Sequence, residues 1–174
     1  MRRLLCAFLT PFFIVPTIAC GEGSPKATLP TPYKVFVICD LPTAIEAGNY
    51  EITYGGPWEI TSTDYPESSC RVGKAEVFLI PWGVNKTSGE VFAKFDKLRP
   101  GNLSALLALG AAYPELQRHF WIAAFGSALT GRGVPVLDVG GNNKRRLHVA
   151  VAGPGEKWLT DSQPYLLAVR KDSK

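Results

Sequence analysis

The sequence predicts an α+β domain over residues 33–174: a mainly antiparallel β-sheet or small sandwich, with one helical segment at about 102–125 packed on it. Three observations lead there. Residues 33–96 hold short β-branched and aromatic runs, several alternating apolar and polar. The stretch from Leu103 onward is apolar without alternation, and strand-like runs return between Val134 and Arg170. No repeat at a fixed period interrupts this order.

Taken along the chain, YKVFVIC at 33–39 is apolar on both faces from Val35, which suits a central strand. Alternation in Tyr50–Tyr54 turns Tyr50, Ile52 and Tyr54 inward and Glu51 and Thr53 outward. Gly55-Gly56-Pro57 then turns the chain into Trp58–Thr61, which predicts a hairpin. AEVFLI at 75–80 is a second strand apolar on both faces, stopped by Pro81. Glu90–Asp96 reads as a strand with Val91, Ala93 and Phe95 on one side.

Asn102 is a helix N-cap, and the helix it opens, from Leu103 to about Ala112, is apolar nearly all round, as a buried helix should be. Pro114 either begins a second helix or kinks the first. Beyond it Leu116, His119, Phe120 and Ala123 fall on one stripe, with Gln117 and Arg118 opposite. Val134–Val139 and Arg145–Val151 flank the turn Gly140–Lys144. Pairing Asp138 with Arg146 sets Leu137 against Leu147 and turns the charged pair to water, whereas a one-residue slip would bury Asp138 among apolar neighbours. Tyr165–Arg170 is the last strand.

Residues 1–19 read as a signal peptide: Arg2 and Arg3 precede an uncharged, mostly apolar run that Pro11 and Pro16 break, too short to span a bilayer. Thr17 and Ala19 are the small residues a signal peptidase needs. Ile18-Ala19-Cys20 resembles a bacterial lipobox, with Thr17 in place of the usual aliphatic residue. The resemblance implies lipidation of Cys20 and a stable membrane anchor. Gly21, where an aspartate would signal inner-membrane retention, points to the outer membrane. Residues 20–32 are small, polar and proline-rich, as a flexible tether should be.

Removing the leader takes away two arginines and no acid, so the mature chain is nearly neutral and predicts no nucleic-acid partner. Four cysteines occur in all. Two lie at or before the cleavage point, which leaves Cys39 and Cys70 to pair in an oxidising compartment.

No sequence pattern specifies a reaction, a cofactor or a metal. His148 shares a strand face with Arg146 and lies across the hairpin from Asp138, an arrangement that can orient an imidazole. The nucleophile is unidentified: Ser127 lacks a G-x-S-x-G elbow, and no other serine has a distinctive setting. Trp58 and Trp82 each adjoin a proline and a turn, where an aromatic either caps the core or stacks on a sugar or protein partner. The expectation is therefore an exported, lipid-anchored envelope protein, a non-enzymatic binding or accessory domain for a protein or glycan partner. Trp58, Trp82, His148 and Asp138 are its candidate contacts, Cys20 its membrane link. The alternatives are an exported hydrolase using His148 and Asp138, and a secreted effector or toxin-neutralising protein, soluble in the periplasm or released.

Overall fold

Residues 73–81, GKAEVFLIP, form the strand on which the sheet assembles, since Val77–Ile80 are buried on both faces. The structure is a computed structural model that describes residues 29–53, 60–61, 65, 70–83, 85–93, 95–127, 133–150 and 164–171. The proposed signal peptide, the tether up to residue 28, Cys20 and Trp58 lie outside the described residues.

In chain order the elements are β1 (Tyr33–Val37), α1 (Leu41–Gly48), β2 (Glu51–Thr53), β3 (Gly73–Pro81), α2 (Ser88–Phe92), β4 (Leu98–Pro100), α3 (Leu103–Ala112), α4 (Leu116–His119), β5 (Trp121–Ala123), β6 (Val134–Val139), β7 (Arg145–Ala150) and β8 (Pro164–Arg170). They build one sheet in the order β1-β3-β8-β5-β6-β7-β2, with β4 also paired to β8. β4 and β5 share one flank of β8, pairing with its last and first residues respectively.

The α+β class is as expected, but the arrangement is finer-grained than the sequence suggested. The described strands form a single mixed sheet, in which β2 runs parallel to β7 and β5 parallel to β8. Helices lie on both faces. On one, α1 and α3 cover Val77 and Leu79 of β3, Leu137 of β6, Leu147 and Val149 of β7 and Leu167 of β8. On the other, Val91 of α2 joins Phe78, Ile80, Val134, Val136, Leu166 and Ala168.

α3 is the centre of the first layer. Asn102 Oδ1 accepts the Ala105 N–H at 3.1 Å and caps it, as its sequence predicted. Every residue from Leu103 to Gly110 is buried. Leu106, Leu107 and Leu109 are wholly enclosed, each contributing about 1.5–3 kcal/mol of burial. Gly110 lets the helix approach its neighbours, because a Cβ there would run into the Tyr50 ring and Leu137. Tyr50 Oη donates to the Leu107 carbonyl at 3.0 Å, and burial raises that phenol's pKa despite the nearby charge of Arg145.

Arg145 fastens this layer. Its Nη1 donates to the Gly110 carbonyl at 3.0 Å, its Nη2 donates to the Gly48 carbonyl, and the guanidinium lies 5.3 Å above the Tyr50 ring. One cation thus serves the last turns of α1 and α3, where carbonyls gather partial negative charge. Cys39 and Cys70 are bonded, with Cα atoms 5.7 Å apart. They sit just past the last β1–β3 pair, Val37 with Gly73, and close the open end of that ladder. Closing the interval contributes about 3–4 kcal/mol by loop entropy.

Local chemistry overrode several expectations. Helix α1 falls where the sequence pattern predicts no element; Asp40 accepts from the Thr43 N–H at 3.0 Å and Asn49 ends the helix in the left-handed region. The strand expected at Glu90–Asp96 gives way to α2, because Thr87 and Glu90 form a reciprocal capping box. The helix expected to reach residue 125 stops at His119, and Trp121–Ala123 enters the sheet as β5. Leu116 and Phe120 pack on the core and Arg118 is exposed, as expected, whereas His119 is exposed and Gln117 buried, the reverse of what the stripe predicts for these two. The second arm of the expected first hairpin lies largely outside the described residues, while β2 pairs with β7.

Replacing Arg145 with alanine is expected to cost about 2 kcal/mol in equilibrium urea unfolding, since two charge-assisted bonds to buried carbonyls are lost. Arg145→Lys should recover less than half of that, because one ammonium cannot keep the planar two-carbonyl geometry.

Candidate functional site

Strand alternation places Arg146 and His148 on the same face of β7, and the β6–β7 register sets Asp138 opposite Arg146 and Leu137 opposite Leu147, as the sequence predicted. The prediction that the charged pair faces water is corrected: Asp138 is only 1% exposed. Its side of β6 also carries Val134 and Val136, so the carboxylate lies at the end of an apolar row rather than on an outer surface.

Arg146 makes that burial tolerable. Its Nε donates to Asp138 Oδ1 at 2.8 Å and its Nη2 to Oδ2 at 2.5 Å, a two-pronged contact that occupies both carboxylate oxygens. Burial alone would raise the Asp138 pKa. The Arg146 hydrogen bonds, with His148 beside them, outweigh it, and the carboxyl titrates below its ordinary range. Asp138 in turn raises the pKa of Arg146.

His148 completes the cluster without being firmly held. Its Nδ1 stands 3.4 Å from Asp138 Oδ1, outside hydrogen-bond geometry, and is buried without a hydrogen-bond partner among the described residues. The Trp121 indole meets the imidazole edge-on at 5.7 Å. The carboxylate is therefore committed to an arginine, whereas orienting an imidazole for proton transfer needs it hydrogen-bonded to the ring. Ser127 Oγ accepts the Leu103 N–H at 2.7 Å at the start of α3, and both described cysteines are in the disulfide. These are structural duties.

Trp82 is also structural. Its side chain is 1% exposed, Nε1 donates to the Lys86 carbonyl at 2.6 Å, and the ring packs edge-on against Phe125. It caps the second core layer and offers no open face to a partner. Asn142 and Asn143 form the β6–β7 turn: Asn142 accepts from the Lys144 N–H and donates to Glu51, and Asn143 takes a positive φ. Among the described residues no group of three or more His, Cys, Asp or Glu is placed to hold a metal.

A second constellation was not legible from sequence. A cleft of about 410 Å³ opens where β3 begins and β8 ends, beside the first turn of α3. Arg71, Lys74, Arg99 and Arg170 line it, with Glu76 the one carboxylate among the described lining residues. Val37, Ala75, Ala105 and Val169 supply an apolar wall. Glu76 accepts from Arg170 Nη2 at 2.9 Å, with both side chains about half exposed. Lys74 and Arg99 have no carboxylate within ion-pair distance among the described residues. These cations come from three separated stretches of chain, at 71–74, 99 and 170, and form no motif; the sheet's strand order brings them together.

Comparison with family models, curated proteins and solved structures finds no match to this chain.

The Asp138 ion pair predicts an acid-sensitive fold. Because folding lowers this carboxyl's pKa from the ordinary 3.8, the stabilisation is present above that value and is lost as pH falls through the lower folded one. Asp138→Asn should flatten the decline in stability below about pH 4 and start about 2–4 kcal/mol less stable at neutral pH. Chemical denaturation of both proteins across that range measures it.

Proposed function

We propose that this chain is an exported, lipid-anchored protein of the bacterial cell envelope whose folded domain binds a protein or glycan partner and catalyses no reaction. The observation that carries the reading is the Cys39–Cys70 bond, because a disulfide in a small domain belongs to an oxidising compartment. It agrees with the leader, whose Cys20 would become the acylated first residue. Among the described residues no helix is long and apolar enough to cross a membrane, so the anchor assigned to Cys20 supplies the membrane link in this reading.

Two features favour binding over catalysis. Asp138, the acid that would orient His148, gives both its oxygens to Arg146. The broad cationic cleft at the other end of the sheet holds neither histidine nor cysteine among its described lining residues. A hydrolase reading keeps one point in its favour, the unpartnered Nδ1 of His148 beside that carboxylate.

Intact mass of the protein isolated from native membranes tests the reading. It should correspond to a chain starting at Cys20 with acyl groups attached, and should rise by the mass of two hydrogens on reduction. Cys20→Ser should move the protein from the membrane to the soluble fraction. Recovery of a chain that retains Met1, with Cys39 and Cys70 as free thiols, would contradict it.

A further inference from the structure

We propose that the cleft between the start of β3, the end of β8 and the first turn of α3 is a binding site for a phosphate-bearing ligand. Arg99, Lys74, Arg71 and Arg170 would hold the phosphate, with the apolar wall contacting the remainder of the ligand. The inference deepens the binding reading but requires neither export nor lipidation.

Charge is the first ground. Lys74, Arg99 and Arg170 line a concave space with Glu76, the one carboxylate among its described lining residues, so the cleft carries a local excess of positive charge. Low-dielectric walls focus such a field on an entering anion. A phosphomonoester, at about −1.5 to −2 near pH 7, matches that excess better than a single carboxylate does. Two of these cations are arginines, whose planar forks suit paired oxygens of a tetrahedral oxyanion.

The second ground is how these cations are engaged. Lys74 and Arg99 have no acid beside them among the described residues, and exposed Arg170 shares an ion pair with Glu76. A half-exposed pair of this kind is weak, so an incoming anion of higher charge can take Arg170 from Glu76.

The third ground is the framework. Asn102 and Ala105 line the cleft, so the positive end of the α3 dipole faces it. The Leu103 and Ala105 N–H groups are already capped by Ser127 and Asn102, so the helix contributes its field, while the side chains would make the bonds. Arg71 follows Cys70 directly, so the disulfide fixes the wall on which it stands. Gly73, at φ +137, lets the chain pass from that wall into β3.

Equilibrium titration of the full-length protein, as purified from cells, with inorganic pyrophosphate and with inorganic phosphate tests the site. Vesicles of phosphatidylglycerol and of phosphatidylcholine form a second arm. Saturable pyrophosphate binding that weakens with added salt is expected. Lys74→Glu and Arg99→Glu should each weaken it about tenfold or more. Glu76→Gln should tighten it about two- to fivefold by freeing Arg170, a gain that a misfolded variant cannot produce. Saturable binding to phosphatidylglycerol vesicles alone, lost in the same two variants, would support the site and identify the phosphate as a lipid headgroup. Release of inorganic phosphate during the pyrophosphate titration would support the site and overturn the non-enzymatic reading. Absence of saturable binding to either probe, or binding unchanged in all three variants, would overturn the site.

Discussion

An uncharged helix that must be enclosed on nearly every side is the constraint on which this fold depends. Leu103 to Gly110 are buried without a break, and no polar stripe is left for water. A sheet covers only one side of such a helix. Helix α1 closes another, Tyr50 binds its backbone at Leu107, and Arg145 ties its last turn to that of α1. The enclosure also orients the helix, so that its capped N-terminus reaches the open end of β3 and β8. Packing and the position of the cationic cleft are thus consequences of one buried element.

The two charged regions answer opposite physical demands. Asp138 is buried, so its charge is tolerated only because Arg146 takes both oxygens; the pair is a fixed part of the hairpin. Lys74 and Arg99 border a cavity instead, where water can solvate them. Fixed charge supports structure, and loosely engaged charge in a concave space favours recognition. This contrast moves the candidate site from the Asp138–His148 hairpin to the far end of the sheet.

What could be read from the residues was whatever depended on neighbours in sequence. The β6–β7 register followed from matching Leu137 with Leu147, and α3 from its Asn102 cap and its continuous apolar run. The disulfide followed from having two cysteines left once Cys6 and Cys20 are assigned to the expected leader and its lipidation site. Failures came where a local signal was weighed wrongly or where distant segments met. At Val91 the alternation suggested a strand, but the Thr87–Glu90 capping box fixes a helix turn there. The three residues of β5 are too few to show a period, and their partner β8 lies some forty residues further on. Asp138 was expected in water because alternation separates two faces without showing that the second face is covered as well. The cleft could not be seen at all, since Arg71, Arg99 and Arg170 become neighbours only once β4 and β3 flank β8.

The central claim is that recognition resides beside the α3 N-terminus rather than on the β6–β7 hairpin. Backbone amide shifts of the isotopically labelled full-length protein, followed by NMR as pyrophosphate is added, test this most directly. The account predicts changes concentrated at residues 71–76, 99–105 and 169–170. Changes centred on Asp138, Arg146 and His148, or none at any concentration, would contradict it.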